Sequence, residues 1–414
     1  MVNNGSNYTS RYTPYMLDVK REGRGTVFSN GEFWADHRRF TLRTLRDFGL
    51  GSNILEDRIM DEFHYHFDRL EKSMVNGKTT IMAGEFFDLL VGSVINRMIF
   101  SERFTEENAE EFFRVKHELD QTWMSLTAFD TALEKWTLNL PLIEKRWKRM
   151  ISPQEKLIEF INKRVNQRKS DIANGKHILE EMGQDFVDAY LIKMEADRRD
   201  GVDVSRIYKD EDLLFDLFDL WIAGHETTSI TMVWGFMHLI KNPEVVAKIR
   251  NEISSITNGN RHISLADKKD TPYLNWTVLE IQRLASILNM NIWRRNEKSC
   301  VIGGHYVPAG TPIAAEMSLI MSDEKYFDNP TKFDPDRYGR AGKSLEQQVI
   351  PFGLGKRACM GESLAKAEIY LVLANMVSRY DFSEDPSAPI DMLTSTPDGV
   401  MRRPKTYKMV LSMI

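Results

Sequence analysis

Phe352-Gly353-Leu354-Gly355-Lys356-Arg357-Ala358-Cys359-Met360-Gly361 is the stretch on which the reading of this 414-residue chain turns. Its glycines suggest two phosphate-binding motifs, and both fail. A phosphate-binding loop needs a glycine five residues before Gly355, where Ile350 stands, and Ser or Thr where Arg357 stands. The dinucleotide fingerprint lacks its third glycine. What remains is a glycine-rich turn that delivers one cysteine to the start of an apolar helix over 362–377. Backbone N–H groups and the positive end of the helix dipole both favour a thiolate there. A buried structural thiol is one use of such a residue. A cysteine nucleophile is another, and it needs a nearby histidine base, which nothing in the sequence places, His305 included.

Outward from that loop the chain reads as mostly helix. Stripes of apolar residues predict helices over 33–46, 53–71 and 81–100, the last nearly apolar and so buried. Pro141 and Pro153 punctuate the middle, with a basic amphipathic helix over 154–169 after them. The longest helical run covers 211–240, with Asp210, Glu211 and Asp212 at its start as the dipole favours. Asn242-Pro243 ends it, and Pro243 suits the first turn of the next helix. Short strands are expected over 301–315, and helix again over 359–380. Helix with a little β predicts one mainly α domain with small sheets over residues 1–414, not a βαβ alternation.

Composition narrows the function classes. Apolar residues make up 42% and charged residues 28%, a globular mixture. Lys+Arg 55 against Asp+Glu 60 leaves −5, which argues against nucleic acid as a partner. Two cysteines, Cys300 and Cys359, make no disulfide framework, so a reducing compartment is the default. No run reaches the ~18–20 apolar residues of a membrane span, and no signal peptide is visible. These features read as a soluble intracellular chain.

A third use of Cys359 accommodates every feature of its loop. A thiolate at a helix N-terminus can be the axial ligand of haem iron, with glycines keeping the backbone clear of the ring's flat face. Arg357 would then meet a haem carboxylate. Phe-Gly-x-Gly-x-Arg-x-Cys-x-Gly resembles the cysteine-ligand loop of the cytochrome P450 monooxygenases, and implies that Phe352, Gly353, Arg357, Cys359 and Gly361 hold haem. Three further motifs lie in the family's order. Glu280 and Arg283 form a Glu-x-x-Arg pair on one helix face. Arg337, in Phe333-Asp334-Pro335-Asp336-Arg337-Tyr338, matches the family's arginine that joins that pair. Together these three side chains would lock the chain behind the haem. Ala223-Gly224-His225-Glu226-Thr227-Thr228 resembles the family's distal helix, whose acid–alcohol pair would here be Glu226 and Thr227, delivering protons; its bland alternative is local bending or close packing. Trp34 and Arg38 match a pair that binds a haem propionate, and Arg294 matches a further propionate ligand, with Arg295 as the competing neighbour.

Flanking segments, Phe28-Ser29-Asn30-Gly31 and Phe48-Gly49-Leu50-Gly51 among them, are similar to the animal microsomal, drug-metabolising branch. That resemblance implies hydroxylation of a lipophilic xenobiotic, fatty acid or steroid, with electrons from an NADPH-dependent flavoprotein reductase. It also implies the endoplasmic reticulum, and substrate contacts in 12–28, 111–126, 216–223, 288–293 and 393–398. Trp34 comes earlier than in the family, so the anchor, first helix and first strands are expected to be missing. The strand near 311–316 would then show a bare edge, and the chain would be a catalytically impaired haem-binding fragment as the rival reading. Weaker features are His64 and His66, expected on the surface and not at a metal. The basic run Lys145–Arg149 is expected to be solvated or to rest on a membrane, and Asn7 is discounted as a glycosylation acceptor. Lys356 and Arg403 are candidates for docking an acidic reductase.

Overall fold

A computed structural model describes residues 5–49, 53–203, 208–396 and 401–414, with helix as the dominant element and a few short strands. The mainly α expectation therefore holds. The residues group into two compact units. One holds the described residues of Met1–Phe48, Ile95–Ala223 and Ile292–Ala314, the other those of Gly49–Val94, Gly224–Asn291 and Ala315–Ile414.

In the first unit, helices Gly31–Asp47, Glu106–Ser125, Glu144–Ala173 and Phe186–Arg199 carry most of the chain. Thr105 and Asn108 form a capping box at the start of the second, and the Asp185 carboxylate accepts from Asp188 N at 3.0 Å at the start of the fourth. The expected helix over 154–169 is in fact longer, running unbroken through Pro153. A proline inside a helix strands the carbonyl four residues earlier. Here that carbonyl, on Arg149, accepts a hydrogen bond from the Thr122 hydroxyl of the neighbouring helix at 3.3 Å. Met16, Leu126, Leu133, Trp147 and Met150 form an apolar cluster around the same helix, so its basic run is solvated on one side only. Strand Pro312–Ile313 pairs antiparallel with Arg294–Arg295, whose Arg294 bridges in turn to Arg11.

In the second unit, helix Glu362–Arg379 is buried almost all round, from Leu364 to Val377. It begins three residues later than Cys359, and Tyr380 opens a strand. Arg250 closes its far end by donating to Val377 O at 2.9 Å and Tyr380 O at 2.6 Å. Lys408–Met413 is the middle of a three-stranded antiparallel sheet between Lys78–Met82 and Tyr380–Glu384. Ile81 and Met82, expected in a helix, pair with Met409 and Lys408, so that helix starts at Ala83. His66 also departs from expectation. It is buried, with Nε2 3.2 Å from the Ser93 hydroxyl, and no metal-ligand cluster occurs among the described residues. No described helix is long and apolar enough to cross a membrane.

Candidate active site

The cysteine loop is built from two tight turns. Gly353 N donates to Ile350 O at 3.0 Å, Ala358 N to Gly355 O at 2.9 Å, and Cys359 N to Phe352 O at 2.9 Å. Gly353 and Gly355 sit at φ +67° and +80°, which L side chains seldom adopt, and both open onto clear space. Cys359 is exposed, two residues before Gly361, the N-cap of helix Glu362–Arg379. A Cβ at Gly361 would stand 4.0 Å from the Cys359 Sγ. Arg357 is buried on the same loop, and Phe352 carries the Lys366 Nζ 5.4 Å above its ring. An accessible thiol at a helix start, flanked by side-chain-free backbone, suits a flat iron-bearing ring.

On helix Pro272–Ala285, Glu280 is fully buried. Its Oε1 accepts from Arg283 Nη2 at 2.8 Å, Arg337 Nε at 3.0 Å and Asp334 N at 3.1 Å. Its Oε2 accepts from Arg283 Nε at 2.8 Å and the Tyr338 hydroxyl at 2.9 Å. Both arginines spend their remaining donors on carbonyls, Arg283 on Met321 O at 2.9 Å and Arg337 on Asp328 O at 2.7 Å. Every lone pair of a buried carboxylate is thus answered, the condition under which such a cluster is stable.

Along helix Asp210–Lys241, Ala223 is exposed and Gly224 and Thr227 are half-buried, whereas His225, Glu226, Thr228 and Ser229 are buried. Small residues and one hydroxyl therefore line the accessible face. Thr231 Oγ1 donates to Thr227 O at 2.7 Å, a back-bond that competes with the helix ladder. Glu226 meets the Arg403 guanidinium, which is buried. Arg403 is thus no docking residue, whereas Lys356 is exposed.

In the first unit, Trp34 is buried with the Arg38 guanidinium 5.9 Å from its ring. Arg294 is buried and Arg295 exposed. Arg294 donates to Tyr8 O at 3.1 Å, while its buried Nε has no hydrogen-bond partner among the described residues. Burial, and then the charge of Arg38, lowers the pKa of Arg294. Burial lowers that of Arg11 to about 9, with Arg294 and Arg38 adding to the effect. Three mutually repelling guanidinium groups with an unanswered donor suit the carboxylates of a haem. Arg11 was missed because it stands alone in a polar N-terminal stretch with no spacing to flag it.

Two of the expected substrate segments are joined in this unit. Arg21 pairs with Asp219, and Val27 N donates to Asp219 Oδ2 at 2.8 Å. A Cβ at Gly25 would lie 2.5 Å from that same oxygen, so the strap needs glycine there. His37 Nδ1 lies 2.6 Å from Asp216, whose carboxyl burial pushes up to about 6 against the pull of His37. Pro397 and Asp398 of the last segment lie outside the described residues, as do Leu50 and Gly51 of 48–51. Glu368 is a second missed residue. It sits fully buried in an apolar helix, and burial pushes its carboxyl well above the ordinary range despite an opposing pull from Thr228. Only a single acidic letter in an apolar run could have flagged it.

The chain is similar to known proteins over nearly its whole length. The family model described as "Cytochrome P450" matches residues 1–411. The chain is 38% identical over 390 residues to "Probable cytochrome P450 cyp-35D1" of Caenorhabditis elegans, covering 94% of this chain and 77% of that protein. It is 32% identical over 391 residues to "Cytochrome P450 2C70" of Mus musculus, covering 92% and 76%. It is 28% identical over 416 residues to "Cytochrome P450 2B2" of Rattus norvegicus, covering 100% and 82%.

Proposed function

Because this chain belongs to the cytochrome P450 family, and is therefore a haem-binding monooxygenase, we propose that Cys359 would ligate its iron. The accessible Cys359 thiol in its two-turn glycine loop carries this reading. We further infer a lipophilic small molecule as substrate and an NADPH-dependent flavoprotein reductase as electron source. The overall reaction is R–H plus dioxygen, two electrons and two protons giving R–OH and water, within one haem domain. Bound haem supplies dioxygen binding and O–O cleavage, which a thiolate ligand favours.

The remaining work falls to the chain. Arg357 in the cysteine loop, and Trp34, Arg38 and Arg294, would hold the haem carboxylates by charge-assisted hydrogen bonds. Glu280, Arg283 and Arg337 keep the backbone behind the loop rigid. Ala223 and Gly224 leave room for substrate. Thr227 Oγ1 presents a proton to the oxygen substrate, and Glu226 replenishes it. The test is the carbon-monoxide difference spectrum of the reduced protein, followed by product formation with reductase across xenobiotic, fatty-acid and steroid probes. A red-shifted band lost in Cys359→His supports the reading, and a band indifferent to that change overturns it.

For localisation we propose peripheral contact with the endoplasmic reticulum membrane. Phe129, Trp136, Leu140 and Leu142 are exposed, beside the exposed cations Lys145, Lys148 and Arg149. Apolar side chains next to a basic run suit an anionic lipid surface. Co-sedimentation with anionic vesicles should weaken in Trp136→Ser/Leu142→Ser, and unchanged binding would refute the contact.

A further inference from the structure

Glu226 is only 3% exposed, so its proton must come through other side chains. Arg403 occupies its Oε2. The other oxygen, Oε1, lies 3.6 Å from Nδ1 of His225. On the far side of that ring, Nε2 lies 3.4 Å from Oδ1 of Asp88, on helix Ala83–Phe100. His225 is 1% exposed and Asp88 13%, so the row runs from a carboxylate that water reaches to one that it barely does. Ser229, one turn along from His225, donates its hydroxyl to the same Asp88 oxygen and holds it toward the ring.

We propose that His225 relays protons from Asp88 to Glu226. The inference rests on the reading above, in which Glu226 and Thr227 supply protons to the oxygen substrate. Imidazole takes a proton at one nitrogen and gives one up from the other. A protonated Asp88 passes its proton to Nε2, Nδ1 passes its own to Glu226 Oε1, and no other bond changes. Asp88 regains a proton from water, and the ring returns from the Nε2–H to the Nδ1–H tautomer by releasing the Nε2 proton and taking one up at Nδ1 through water. Both gaps exceed a hydrogen bond by a few tenths of an ångström, leaving the ring the slack to close on each side in turn. Arg403, fixed to Oε2, is a positioning residue that keeps Oε1 turned toward the ring.

The holoenzyme tests this in two ways. In the reduced carbon-monoxide complex labelled with 15N-histidine, the His225 ring resonances are identified by their loss in His225→Gln. Asp88→Asn should shift both ring nitrogens and change their tautomer balance, and unshifted resonances overturn the relay. With reductase, NADPH and 7-ethoxycoumarin, product per NADPH should fall about tenfold in Asp88→Asn and His225→Gln, short of the ~10²-fold or more expected for a group in direct proton contact. The double variant should be no worse than either single one, and Asp88→Glu should restore most of the loss. Asp88→Asn, at the outer end, serves alone where His225→Gln fails to take up haem. If Glu226→Gln lowers the ratio and neither relay variant does, the relay is wrong and the acid–alcohol reading stands. If Glu226→Gln also leaves it unchanged, both fall.

Discussion

Arg337→Ala probes the buried cluster around Glu280. The substitution removes the Nε donor 3.0 Å from Glu280 and the donor 2.7 Å from the Asp328 carbonyl, and leaves the Lys332 carbonyl with Arg283 Nη2 at 3.5 Å in place of Arg337 at 3.0 Å. Glu280 stays buried with one arginine in place of two, so the loss is that of breaking a buried ion pair, about 3–5 kcal/mol. The lost hydrogen bonds are part of that figure and are not added to it. Lys248→Ala is the internal control. Lys248 meets Asp336 at 2.8 Å, but the two side chains are 51% and 41% exposed. Such a pair is worth no more than about 1 kcal/mol. Urea unfolding of the haem-loaded protein, followed by far-ultraviolet circular dichroism, gives both losses by linear extrapolation. Arg337→Lys should also be costly, because an ammonium cannot reproduce the planar fork that reaches Glu280 and two carbonyls together. A loss in Arg337→Ala no larger than in Lys248→Ala would refute the idea that burial gives this cluster its weight.

Cys359→His should abolish the red-shifted carbon-monoxide band, and Cys300→Ser should preserve it; equal effects would remove Cys359 as ligand. Thr227→Ala should retain haem and substrate binding while diverting electrons to hydrogen peroxide, read as a lower ratio of product to NADPH consumed. An unchanged ratio would leave Thr227 a purely steric feature. Glu368 has a folded-state pKa raised by burial. The folded protein therefore holds its proton where the unfolded chain has lost it, and stability falls as pH rises above the ordinary carboxyl value of about 4.5. Glu368→Gln should remove that slope and gain stability at pH 8 relative to pH 5, measured by urea unfolding at each pH. Parallel pH dependences in the two proteins would contradict a buried neutral Glu368.

Much of the site is legible in the letters because its chemistry is local. The Cys359 loop needs glycines at left-handed φ and a helix start within three residues, and those demands are met inside ten consecutive positions. Trp34 and Arg38 share a helix face by spacing alone, and Asn242-Pro243 ends one helix and opens the next. Where the linear reading failed, the deciding partner was distant in the chain. Pro153 should break a helix, and does not, because Thr122 answers the freed carbonyl. His66 reads as a surface residue from its spacing, whereas packing buries it beside the Ser93 hydroxyl of another helix.

The same division runs through the catalytic groups. The helical class, the glycine-rich cysteine loop and the order of its supporting motifs are readable from the letters, since these depend on backbone conformation and spacing. Only the tertiary structure decided that Glu280, Arg283 and Arg337 form a dry ion cluster and not three solvated charges. It alone buried Arg294 and exposed Arg295, buried Arg403 against Glu226 and stood His225 between two carboxylates. Charge energetics depend on how much water surrounds a group and on what lies within a few ångströms of it. Neither quantity is a property of neighbouring letters.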